Sequence, residues 1–102
     1  MIQFENGGLG RFSHVITKTI KTTDGRISFE AAKNAIDLRK GYNLLSPILN
    51  ILQLETPTTL GKVYDLEEFV KIVNYAHENK LKVHLDGARL FNACTFLKVE
   101  PK

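Results

Sequence analysis

Three consecutive segments restrict this chain more than anything else in it: an apolar heptamer, an amphipathic stretch and a short alternating run. Ile48-Leu49-Asn50-Ile51-Leu52-Gln53-Leu54 is nearly all apolar, the pattern of a strand buried on both faces of a parallel sheet. Asp65-Leu66-Glu67-Glu68 has the form of a capping box. Behind it Leu66, Phe69, Val70, Val73 and Ala76 recur at helical spacing, which predicts a helix running to about Asn79. Leu81, Val83 and Leu85 then alternate with Lys82, His84 and Asp86, the period of two of a strand. Strand, helix and strand in that order form a βαβ unit, with parallel strands and a right-handed crossover expected.

That unit says where chemistry belongs. In an open α/β sheet, ligands sit beyond the carboxyl ends of the strands. Two loops, 55–62 and 86–92, leave adjacent parallel strands at that end. They bring Glu55, Thr56, Thr58, Asp86, Arg89 and Asn92 toward one rim. A carboxylate there can hold a protonated nitrogen through a charge-assisted bond, and an arginine can grip a carboxylate or phosphate with its planar fork. Taken alone, Asp86-Gly87 after a strand is an ordinary turn; Arg89 and the flanking pattern make it more than that.

The rest of the chain is read from local signals. Ile2-Gln3-Phe4-Glu5 is a short strand candidate closed by a loop at Asn6-Gly7-Gly8 and Gly10, which Glu5 anchors in the blandest reading. Phe12 to Ile20 is a second strand candidate, rich in β-branched residues. Thr23-Asp24-Gly25 is a turn. Ser28 caps a helix expected over residues 29–40, with Glu30 in its first turn, Phe29, Ala32, Ala35, Ile36 and Arg39 along it, and Gly41 ending it. Tyr42 to Pro47 is a connector. Leu90 to Leu97 is a helix or an irregular apolar segment.

The 102 residues make one domain at most, and 43% apolar with 25% charged residues describes an ordinary globular chain. The net charge of +3 is spread along the sequence, so no concentrated nucleic-acid face is expected. Cys94 has no second cysteine to pair with and reads as a buried thiol in a reducing compartment. No signal peptide or membrane span is read, so a cytoplasmic protein is the expectation. His14 and His77 read as surface residues, and no metal ligand set is assigned.

Val83-His84-Leu85-Asp86-Gly87-Ala88-Arg89-Leu90-Phe91-Asn92-Ala93 resembles the signature of the threonine aldolase and β-eliminating lyase family, pyridoxal-phosphate enzymes of the aspartate-aminotransferase fold type. Phe4-Glu5-Asn6-Gly7-Gly8 is similar to that family's Glu-x-Gly-Gly stretch, and Thr23-Asp24-Gly25-Arg26-Ile27 to its Asp-Gly turn before a helix. Leu54-Glu55-Thr56 and Gly61-Lys62-Val63-Tyr64-Asp65-Leu66-Glu67 resemble the strand–loop–helix before the signature. The resemblance implies an α/β fold, here residues 1–102 as an internal piece of the large domain, with mainly parallel strands and flanking helices. It implies pyridoxal 5′-phosphate as cofactor and a small amino acid as substrate, in a homo-oligomer when the protein is complete.

By the same resemblance Asp86 bonds the pyridine nitrogen, Arg89 binds the substrate carboxylate, and His84 supports Asp86 or lines the pocket. The implied reaction is retro-aldol cleavage of a threonine-like β-hydroxy-α-amino acid to glycine and an aldehyde, or a β-elimination. The family's aldolases usually carry a histidine in the loop after Glu55, where this chain has Pro57, Thr58 and Thr59. The phosphate-binding loop and the Schiff-base lysine are expected to lie outside residues 1–102, since Lys98 and Lys102 stand too close to Asp86. A non-catalytic α/β remnant or interaction module is the alternative. The fragment reading predicts that the 102-residue chain mixed with pyridoxal phosphate shows no turnover and no stoichiometric absorption band at the visible–ultraviolet border. A band fixed by borohydride onto a lysine of this chain would refute it.

Overall fold

The computed structural model describes residues 7–38 and 47–101. In chain order the elements are α1 (Gly8–Ser13), α2 (Phe29–Asp37), β1 (Ile51–Glu55), α3 (Leu66–Glu78), β2 (Lys82–Asp86) and α4 (Leu90–Leu97). β1 and β2 pair in parallel from Ile51↔Lys82 to Glu55↔Asp86, with α3 between them in sequence, so the βαβ unit is present as read. The first strand begins at Ile51, not Ile48. The expected strand at Ile2–Glu5, the end of the second helix with its Gly41 stop, and most of the Tyr42–Pro47 connector lie outside the described residues.

One sheet face and two helices make the core. Leu52 and Leu54 of β1, Ile72 and Ala76 of α3, and Ala32 and Ile36 of α2 are buried together with Tyr64 and Leu81. Each pair follows its element's period: two in the strand, four in the helices. The buried stripe of α3 is Phe69, Ile72, Val73 and Ala76, so Ile72 belongs to it, while Leu66 and Val70 remain about half exposed. At 100° per residue Val70 lies about 110° round the helix from the centre of that stripe. β1 is not buried on both faces. Its burial alternates, and Ile51 is 54% exposed, because among the described residues no layer covers the second face.

The two helix starts are joined. Ser28 Oγ accepts the Ala31 N–H at 3.2 Å, and Asp65 Oδ1 accepts the N–H groups of Glu67 and Glu68 at 3.0 and 3.2 Å. Glu68, however, does not close the reciprocal half of the capping box. Its Oε1 accepts the Phe29 N–H at 3.2 Å and so satisfies one of the orphan donors at the start of α2. Phe29 also stacks edge-on against Tyr75, with ring centroids 5.6 Å apart, and the Tyr75 hydroxyl donates to Asp37 Oδ1 at 2.8 Å.

The strand expected over Phe12–Ile20 is not formed. Gly8 and Gly10, expected in a loop, lie inside α1, which starts from Gly7 at φ 68° and stops at His14 at φ 52°. Residues 14–20 then run without regular structure and mostly exposed. β-Branched residues favour a strand only where a neighbour supplies the ladder and a surface to pack on. Among the described residues the sheet is β1 and β2 alone, and neither pairs with this segment. Leu90–Leu97 resolves to a helix, with Cys94 buried within it as expected. No helix among the described residues is long and apolar enough to cross a membrane.

The Thr23-Asp24-Gly25 turn is present, and Gly25 is required there. Its φ is +84°, and an added Cβ would stand 2.8 Å from Thr58 Cβ. Gly61 shares the positive φ, at +76°, but faces open space. Gly61→Ala therefore costs only the left-handed backbone, about 1–2 kcal/mol. Gly25→Ala adds a steric clash of about 1–3 kcal/mol on top. Unfolding midpoints of the two variants in the full chain should differ in that order; equal midpoints would mean Gly25 and Thr58 are not in contact.

Candidate functional site

The register that pairs β1 with β2 also builds the rim. In a parallel pair, partner residues share a face, and alternate residues point to opposite faces. Leu52, Leu54, Val83 and Leu85 face the helices, so Gln53, Glu55, His84 and Asp86 share the other face. Glu55 and Asp86 close the two strands side by side, and the Thr56 N–H continues the ladder to the Asp86 carbonyl at 3.2 Å. Beyond Asp86 the chain turns back: Asp86 Oδ1 accepts the Ala88 N–H at 3.3 Å, and the Leu90 N–H donates to the Gly87 carbonyl at 2.9 Å to start α4.

Arg89, the residue before α4, reaches back across the sheet end. Its Nη2 donates to Glu55 Oε1 at 2.9 Å and to the Pro57 carbonyl at 3.4 Å. Thr59 Oγ1 donates to the same Glu55 oxygen at 2.9 Å. Asp86 Oδ2 has no partner among the described residues. Thr56 is 8% exposed, and its Oγ1 is buried without a hydrogen-bond partner among the described residues. The Thr56–Pro57 peptide is cis. Of the residues expected on this rim, Glu55, Asp86 and Arg89 are brought together, while Thr56 joins them through its backbone and keeps its side chain buried.

Thr58 and Asn92 are placed otherwise. Thr58 is buried and turned toward the segment before α2: its Oγ1 donates to the Asp24 carbonyl at 2.8 Å and accepts the Lys62 N–H at 3.2 Å. Its part is to fix the loop. Asn92 is exposed in the first turn of α4, where its N–H donates to the Arg89 carbonyl at 3.0 Å. His84 is exposed on the same strand face as Asp86. His14 and His77 are exposed, the latter in the last turn of α3.

Sequence reasoning passed over the supports of this loop. The Tyr64 hydroxyl accepts the Ile27 N–H at 2.6 Å, and burial raises that phenol's pKa above its ordinary value. Arg26 pairs with Asp24 and donates through Nη1 to the Val63 carbonyl at 3.3 Å. Loop 56–64 is thus held against residues 24–27 at three places. Gly25, Gly61 and the buried tyrosine were the available signals, but none names its partner. Thr59 and the Pro57 carbonyl were missed as partners of the Glu55–Arg89 pair.

Comparisons with known proteins agree with the resemblance. The family model described as beta-eliminating lyase matches residues 1–102. The chain is 33% identical over 102 residues to the probable low-specificity L-threonine aldolase 2 of Arabidopsis thaliana, covering 97% of this chain and 28% of that protein. It is 35% identical over 99 residues to the low-specificity L-threonine aldolase 1 of the same plant, covering 94% and 27%. Against the low-specificity L-threonine aldolase of Candida albicans it is 30% identical over 90 residues, covering 87% and 24%. The chain therefore spans about a quarter of the length of these relatives.

The loop's clasp carries a pH signature. Hydrogen bonds from the Arg26 side chain and backbone hold the Asp24 carboxyl below its ordinary 3.8. A depressed carboxylate contributes stability that is whole above the unfolded value and is lost as pH falls through the folded one. Nuclear magnetic resonance titration should show Asp24 ionising below 3.8 in the native protein. Arg26→Gln should move it up toward that value; no movement would mean the guanidinium does not hold the carboxylate.

Proposed function

The chain belongs to the β-eliminating lyase family, and from that premise we propose that it forms one wall of a pyridoxal-phosphate-dependent lyase site. The substrates are threonine-like β-hydroxy-α-amino acids, cleaved to glycine and an aldehyde. The observation that carries this reading is the pairing of Glu55 with Asp86 at the strand ends, with Arg89 drawn to the same rim. The full protein's low-specificity threonine cleavage is proposed by analogy with the relatives' names.

The donor set fits the cofactor. Asp86 Oδ2, at the end of β2, has no partner among the described residues, and a protonated ring nitrogen supplies the donor it lacks. Asp86 would hold the proton on the ring nitrogen. When bound, the cofactor supplies the sink for the electron pair left at the substrate Cα. Asp86 is suited to this because it ends a paired strand and its Oδ1 is tethered by the Ala88 N–H. Arg89 would bind the substrate carboxylate and thereby fix Cα, a bidentate task for a guanidinium. His84, two residues before Asp86 on the same face, would line the pocket beside it.

The loop from Thr56 to Gly61 holds no histidine, so proton removal from a β-hydroxyl is not assigned to a residue of this chain, and β-elimination stays within the proposal. The Glu55–Arg89 pair would also close a non-catalytic module, and the same variants separate the two readings. In the complete protein Asp86→Asn should lower L-threonine cleavage by about a hundredfold or more, and Arg89→Lys should raise KM because the planar fork is lost. Steady-state kinetics measures both. Unchanged cleavage in both variants would leave the module reading standing.

A further inference from the structure

Resting on Arg89 as the carboxylate-binding residue, we propose that Glu55, itself held by Thr59, is the positioning residue that aims Arg89 at the incoming amino acid. Arg89 alone is poorly suited to wait in one pose. Its side chain is 47% exposed, and a free arginine side chain carries about 2 kcal/mol of rotamer entropy. Glu55 is the opposite kind of residue. It is the last residue of β1, paired to Asp86, and its Oε1 is fixed by the Thr59 hydroxyl at 2.9 Å. The oxygen that holds the arginine is therefore held from both sides.

The way Arg89 is gripped leaves it usable. Both described contacts fall on Nη2: Glu55 Oε1 at 2.9 Å and the Pro57 carbonyl at 3.4 Å. Nε and Nη1 have no partner among the described residues. A carboxylate bound in fork geometry needs one of those nitrogens and one hydrogen of Nη2. The bond to Pro57 is long and weak by ordinary hydrogen-bond geometry, so it is the one that yields. Glu55 keeps its bond throughout. The substrate carboxylate exchanges with a backbone carbonyl and does not compete with a carboxylate. An amine without a carboxylate gains nothing from this arrangement, which makes Glu55 and Thr59 determinants of selectivity for α-amino acids.

The test uses the complete protein with L-threonine as substrate and two competitive inhibitors, glycine and 2-aminoethanol, which lacks the carboxylate. Thr59→Val removes the hydroxyl at near-constant shape, and Glu55→Gln keeps a hydrogen-bond acceptor without the charge. Both should raise KM for threonine roughly tenfold, with a far smaller change in kcat. The glycine inhibition constant should weaken in parallel and that of 2-aminoethanol should not. Thr59→Ser should restore the wild-type values. Variants with unmoved KM, a kcat loss at constant KM, or equal weakening of both inhibitors would overturn the positioning role while leaving the lyase reading intact. A wild-type protein that neither cleaves threonine nor eliminates from a β-substituted amino acid would overturn that reading, and this one with it.

Discussion

The parallel register of β1 and β2 is the constraint on which the rest depends. Shifted by one residue against β1, β2 would turn Val83 and Leu85 away from the helices and bury Lys82, His84 and Asp86 in their place. The apolar alternation forbids that shift, because burying unpaired charges is far more costly than burying leucine. Core and rim are therefore two outcomes of one pairing. The same energy that packs Leu54 beneath α3 sets Glu55 and Asp86 side by side at the sheet end.

The helices are oriented by contacts that cross long stretches of sequence. Tyr64, Thr58 and Arg26 tie the loop after β1 to the turn before α2, and the aromatic pair Phe29–Tyr75 presses α2 on α3. Each polar contact satisfies a backbone group that no helix or sheet ladder reaches, which is the general requirement on a buried loop. The rim loop is consequently supported from behind, by residues that do not themselves face the rim.

What was legible in the sequence follows from how local each signal is. The βαβ unit could be read because strand alternation, the Asp65 cap and the α3 stripe are each written within a dozen residues. Asp86 and Arg89 stood out because a strand end, a turn and an arginine three residues on are one short pattern. Phe12–Ile20 misled because β-branched composition records a preference that only a neighbouring strand can realise, and α1 occupies the first residues of that segment instead. Thr59, Pro57 and Thr58 could not be sorted by role. Which of three adjacent loop residues reaches the rim depends on the path of the backbone between Glu55 and Gly61, and residue type does not encode that path. Glu68 looked like the closing half of a capping box and served another helix.

That last exchange ties the two helices together in folding as well as in space. A capping box is complete as soon as its own first turn forms, whereas the bond from Glu68 to Phe29 spans 39 residues. The start of α2 is thus closed by its own Ser28 cap and by a second group that arrives only when α3 docks. Wherever α3 is displaced, the first turn of α2 loses a hydrogen bond and frays. The two helices consequently belong to one cooperative unit.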